Sequence, residues 1–186
     1  MRRFVFVLTL AVPAASPAMA QPADTNPFTK GAQAQFEQIH SFVMRSAEKI
    51  GDDLYSFKPT PEVRSIAGVL GHIADSNRLL CGIASGEKVD FEKIMKDPTS
   101  VQVHEKKTSK ADIISALKES QAFCASVFAK MTDASGQEAI PWFGRTTPRL
   151  MVMTMTTSHV WEHYGNLVTY MRLKGIVPPS SERSAP

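Results

Sequence analysis

The sequence predicts an all-α protein, a four-helix bundle, and three observations carry that prediction. Apolar residues recur at steps of three and four in four separate stretches, as in helices with one buried face. Those stretches open at Asn-Pro, Thr-Pro or Ser, and three of the four close at glycine, which are helix start and stop signals. No segment alternates apolar and polar residues convincingly over the length of a strand.

The first helix opens at Asn26-Pro27, an N-cap followed by proline at the first helical position. Phe28, Ala32, Phe36, Ile39, Val43, Ala47 and Ile50 form its stripe, and it ends near Gly51. His40 falls at the edge of that stripe. Residues 52–59 form a loop whose Tyr55 and Phe57 fold over the core. Thr60-Pro61-Glu62 reads as the start of the second helix, which carries Val63, Ile66, Ala67, Leu70, Ile73, Ala74, Leu80 and Ile83 and stops at Ser85-Gly86. Gly71, in its middle, costs about 1 kcal/mol against alanine, so its use there marks a place where something approaches closely.

Residues 86–108 make the longest connection, too long for neighbouring antiparallel helices. It suits a crossover that returns the chain so that the second and third helices run parallel. His104, beside Glu105-Lys106-Lys107, reads as a solvated loop residue. Ser109 with Asp112 opens the third helix, whose apolar positions are Ile114, Leu117, Cys124, Val127, Phe128 and Met131. After a second loop over 132–146, Thr147-Pro148 opens the fourth helix, which runs to Lys174 and closes at Gly175 with Pro178-Pro179 beyond. The bundle domain so defined spans residues 21–179, with a loose tail over 180–186.

The first twenty residues stand apart. Arg2-Arg3, the apolar run Phe4 to Val12, and Ala18-Met19-Ala20 read as a secretory signal peptide cleaved after Ala20, which predicts a secreted or periplasmic protein. The run is too short for a stable membrane anchor. With 186 residues, 43% hydrophobic and 21% charged, the chain fits one ordinary globular domain. Without the leader, 19 basic residues face 18 acidic ones, and no basic cluster is interleaved with aromatics; nucleic acid is therefore not expected as a partner. Cys81 and Cys124 either pair in the oxidising compartment that export implies or remain two small buried thiols.

The chemistry-bearing stretch is Ser158-His159-Val160-Trp161-Glu162-His163-Tyr164-Gly165-Asn166. Histidines four apart project from one helix face and can grip one metal ion together. His72, in the middle of the second helix, offers a third nitrogen. Three imidazoles from two helices leave a coordination position open, as in catalytic sites. The spacing alone leaves ordinary packing or a solvated face as alternatives. Glu162 is a candidate general base or a surface residue, and Asp75 and Asn77 either support His72 or lie on the surface. Trp161 and Tyr164 either line a pocket mouth or pack in the core.

These residues also carry a resemblance. Phe57-Lys58-Pro59-Thr60-Pro61-Glu62 leading to Leu70-Gly71-His72-Ile73, then Phe143-Gly144, Thr147, His159-x-x-x-His163-x-Gly165-Asn166 and Tyr170 to Ile176, resemble the DinB/YfiT-like family of metal-dependent proteins. The similarity covers roughly residues 28–179. It implies an up-down-down-up bundle and a three-histidine site for a divalent metal, often zinc or nickel, with His72, His159 and His163 as ligands. The family's common His-Arg-Gly-Gln reads here His163-Tyr164-Gly165-Asn166, and Asn166 is placed to orient a ligand. Three functional readings follow: an exported metal-dependent hydrolase or thiol-dependent transferase acting on an unidentified small molecule, a non-catalytic metal-binding or stress-related module, and a metal-free helical scaffold, with a homodimer as one form of it.

Overall fold

The computed structural model describes residues 25–182, so the predicted signal peptide and the last residues of the predicted tail lie outside the described residues. Four long helices dominate: α1 (Pro27–Lys49), α2 (Ile66–Ser85), α4 (Lys110–Ala129) and α6 (Arg149–Leu173). Two short helices, α3 (Phe91–Lys96) and α5 (Asp133–Gly136), and a hairpin of β1 (Ala139–Trp142) and β2 (Arg145–Pro148) fill the connections. α2 packs against α4 and α6, and α1 closes the ring against the same two helices. Among the described residues no helix is long and apolar enough to cross a membrane.

Helix starts are satisfied partly from outside each helix. Pro27 sits in the first turn of α1 as expected, but the Asn26 side chain does not cap it. Instead the Asp133 carboxylate accepts the Phe28 and Thr29 N–H groups, while Asn26 Oδ1 accepts the Asp133 N–H. Phe28, expected in the stripe, is 75% exposed.

α2 begins at Ile66, five residues later than Pro61 predicts. The Ser65 hydroxyl accepts the Gly68 N–H, and the Ile66 and Ala67 N–H groups donate to the carbonyls of Phe57 and Tyr55. The orphan donors at this helix end are met by the preceding loop, so Thr60-Pro61 is left as a turn. Gly86, at φ 93°, ends α2 in the left-handed conformation that glycine adopts without strain.

The 86–108 connection is not structureless. Asp90 caps α3, and Asp97 caps a 3₁₀ turn over Pro98–Val101. Its last residues lie on α2. Asp75, buried in that helix, accepts the N–H groups of His104 and Glu105 at 2.9–3.0 Å. Ser109 caps α4 as the sequence predicts.

The hairpin is a correction to the strand-free expectation. β1 and β2 pair antiparallel, Ile140 opposite Thr147 and Trp142 opposite Arg145. Phe143 and Gly144 both take positive φ, as a two-residue hairpin turn requires. Ile140 and Trp142 alternate inward onto the core, a pattern too short to stand out and interrupted by Pro141.

The core has two parts. One gathers Ile39, Val43, Leu70, Ile73, Leu117, Val160 and Leu167. The other surrounds Cys81 and Cys124, which form a disulfide with Cα atoms 5.3 Å apart and so tie α2 to α4. The segment expected to be loose from residue 180 is docked over 180–182: Ser180 and Ser181 hydrogen-bond Tyr164 and Arg172 of α6, and Glu182 pairs with Lys49 and Arg45 of α1.

Candidate metal centre

α2 and α6 face each other across one seam, and the three predicted histidines meet there. His159 and His163 stand one turn apart on α6, their Nε2 atoms 3.0 Å apart. His72 comes from the middle of α2 and places its Nε2 3.2 Å from that of His159. The potential ligand atoms of all three lie within 4.8 Å of one another. Two nitrogens bound tetrahedrally at about 2 Å to one zinc-sized ion lie roughly 3.3 Å apart, so the spacing fits a shared cation. His163 is buried, and His72 and His159 are partly buried.

The protonation states suit ligation. Burial, followed by the charges of His159, His72 and Arg64, lowers the His163 imidazolium to about 3. Burial lowers His159 as well, helped by His72. His72 is lowered by burial and Arg64, against the pull of Glu105. Neutral imidazoles at physiological pH present the lone pairs that a cation needs.

The surrounding polar residues sort clearly. His72 Nδ1 lies 3.0 Å from Glu105 Oε2, and Glu105 Oε1 accepts from Arg64 Nε at 2.7 Å. Sequence reasoning missed Glu105 because it stands 33 residues from His72, in a connection whose path the local pattern does not reveal. The one usable signal was Gly71, which does mark a close approach, that of the His104 backbone. His104 thus acts through its main chain. Asn166 Nδ2 lies 3.4 Å from His163 Nδ1, where it can orient the ring.

Other candidates do not join the site. Glu162 is exposed, and its charge reaches His159 without a hydrogen bond to any of the three imidazoles. Asn77 turns the other way and bonds His40 inside the bundle. His40 is wholly buried, not at the stripe's edge. Tyr164 stacks on Phe42 and Trp161 meets both rings, so these aromatics pack α1 against α6.

A mostly helical fold with three imidazoles converging from two helices defines a class, that of helical bundles able to hold one divalent ion between facing helices. Within that class the chain belongs to the DinB superfamily, whose family model matches residues 35–167. A DinB-like protein from Bacillus cereus has a similar structure at 18% identity and a TM-score of 0.65, over 81% of this chain and 95% of that one. The mycothiol-dependent maleylpyruvate isomerase is similar at 15% identity and a TM-score of 0.59, over 75% of this chain and 60% of that one. No curated protein matches the chain.

A third similar structure corrects an expectation. The colibactin self-resistance protein ClbS, in complex with double-stranded DNA, matches at 16% identity and a TM-score of 0.61, over 80% of this chain and 97% of that one. The fold therefore occurs in a protein bound to duplex DNA, and the exclusion of nucleic acid as a partner does not hold. That exclusion rested on a net charge near zero and on the lack of a basic cluster interleaved with aromatics in the sequence, and neither a summed charge nor a linear pattern sets the local field over one face of a folded protein.

Proposed function

We propose that this protein is an exported metal-dependent hydrolase of the DinB superfamily, with His72, His159 and His163 holding one divalent ion, zinc or nickel. The observation that carries the reading is the convergence of three imidazoles, with the His159 Nε2 lying 3.2 Å from that of His72 and 3.0 Å from that of His163, supplied by two helices that pack for other reasons. A divalent ion bound there supplies Lewis acidity toward a water or substrate oxygen. The chain's own residues do the rest. The two turns of α6 fix the His159 and His163 rings, Asn166 stands at the back of His163, and Arg64 places a positive charge beside the seam. The bundle directions are read as up-down-down-up, with the 86–108 crossover allowing α2 and α4 to run parallel. We place the protein outside the cytoplasm after cleavage near Ala20, and the Cys81–Cys124 disulfide supports an oxidising compartment.

That compartment favours water over a small thiol as the activated group, because low-molecular-weight thiols are scarce there. A thiol-dependent transferase is the second reading, favoured by the likeness to the mycothiol-dependent isomerase. Zinc- or nickel-loaded protein should hydrolyse at least one member of an ester, amide and lactone panel without added thiol. His159→Ala should abolish the turnover. Turnover that appears only with thiol supports the transferase, and turnover unchanged in His159→Ala rules out both.

A further inference from the structure

The crossover lends one side chain to the site, and two residues of α2 decide where that side chain stands. A Cβ added at Gly71, next to His72, would lie 2.3 Å from the His104 carbonyl oxygen and 2.8 Å from the Glu105 Cα. Both are backbone atoms, so only glycine lets segment 104–105 lie directly on the helix. One turn on, Asp75 takes two consecutive N–H groups, those of His104 and Glu105, on a single carboxylate that is 6% exposed. Two adjacent amides aimed at one buried group fix both the position and the rotation of the segment. From there the Glu105 side chain reaches back to His72 with one oxygen and to Arg64 with the other. Neither oxygen is free to swing.

An ionised carboxylate can only accept hydrogen bonds. The proton of neutral His72 is therefore held on Nδ1, and Nε2 shows its lone pair to His159 and His163. A free histidine side chain favours the opposite tautomer, which would put the proton on the nitrogen that has to ligate. We propose that Glu105 is the positioning residue of the metal centre, holding His72 in its ligating tautomer, and that Gly71 and Asp75 are the clamp that delivers Glu105 from the crossover. The proposal rests on the three-histidine reading of the site.

Nitrogen-15 NMR of metal-free protein reads the His72 tautomer directly, and zinc affinity follows from competition with a chelator. The wild type should show the Nδ1–H form. Glu105→Ala should lose that preference and bind zinc roughly 10- to 100-fold more weakly. Glu105→Gln still offers an oxygen acceptor and should keep the tautomer with a smaller loss. Gly71→Ala leaves Glu105 in the sequence but displaces it, and should reproduce the Glu105→Ala tautomer. Thermal unfolding identifies any variant that fails to fold; if Glu105→Ala is one, Gly71→Ala against wild type carries the comparison, and an unchanged Nδ1–H tautomer there overturns the proposal. An unchanged Nδ1–H tautomer and a zinc affinity within twofold in Glu105→Ala overturn the proposal. A wild type that binds no zinc refutes the three-histidine reading, and the tautomer comparison then still decides whether Glu105 governs His72.

Discussion

His40 lies wholly inside the bundle, its Nε2 3.1 Å from Asn77 Nδ2 and its ring against Phe36, while its Nδ1 has no partner among the described residues. Burial holds its pKa down to about 4, against a usual value of 6.5. The unfolded chain therefore binds a proton that the folded chain refuses. The His40 contribution to stability is intact above pH 6.5, falls as the pH drops from 6.5 toward 4, and levels off below that. The full loss is about 3 kcal/mol. Urea unfolding of metal-free wild type and His40→Gln at pH 7 and pH 4 checks this: the wild type should lose about 3 kcal/mol more than the variant. Equal losses would show that His40 titrates normally. At this scale the sequence was legible only for residues that act within one helix. His159 and His163 announce themselves by spacing. Nothing local to His40, Asn77 or Glu105 records that their partners arrive from other elements.

Helix identity was legible because it depends on periodic apolar residues, and the four long stripes all became helices. Boundaries were less so, because the groups that end a helix often come from elsewhere. Thr60-Pro61-Glu62 carries every local sign of a helix start. The helix nevertheless begins at Ile66, where Ser65 and the carbonyls of Tyr55 and Phe57 take up its first N–H groups. Ser65→Ala should therefore cost about 1 kcal/mol in a denaturant titration, while Thr60→Ala should cost little. Between elements, the Cys81–Cys124 bond closes a loop with a sequence separation of 43. Loop-closure entropy gives it about 4 kcal/mol of stabilisation, so the Cys81→Ala/Cys124→Ala double variant should lose roughly that amount. A loss below about 1 kcal/mol would mean the two helices are held without it. The pairing itself was beyond the sequence, because it needs the relative placement of α2 and α4.

At the scale of the whole molecule, helix packing brings His72 within 3.2 Å of a residue 87 positions away. The sequence supplied the candidates and the family resemblance supplied their convergence, while the Glu105 and Arg64 surroundings came only with the folded crossover. A cation gripped by two helices binds the folded state alone, so added zinc should raise the unfolding temperature, by an amount that grows with its concentration. The most direct measurement is elemental analysis of purified protein alongside His163→Ala. If the three imidazoles hold a cation, the wild type carries close to one divalent ion per chain and the variant loses it. A wild type without stoichiometric metal, or a variant that retains it, would contradict the account.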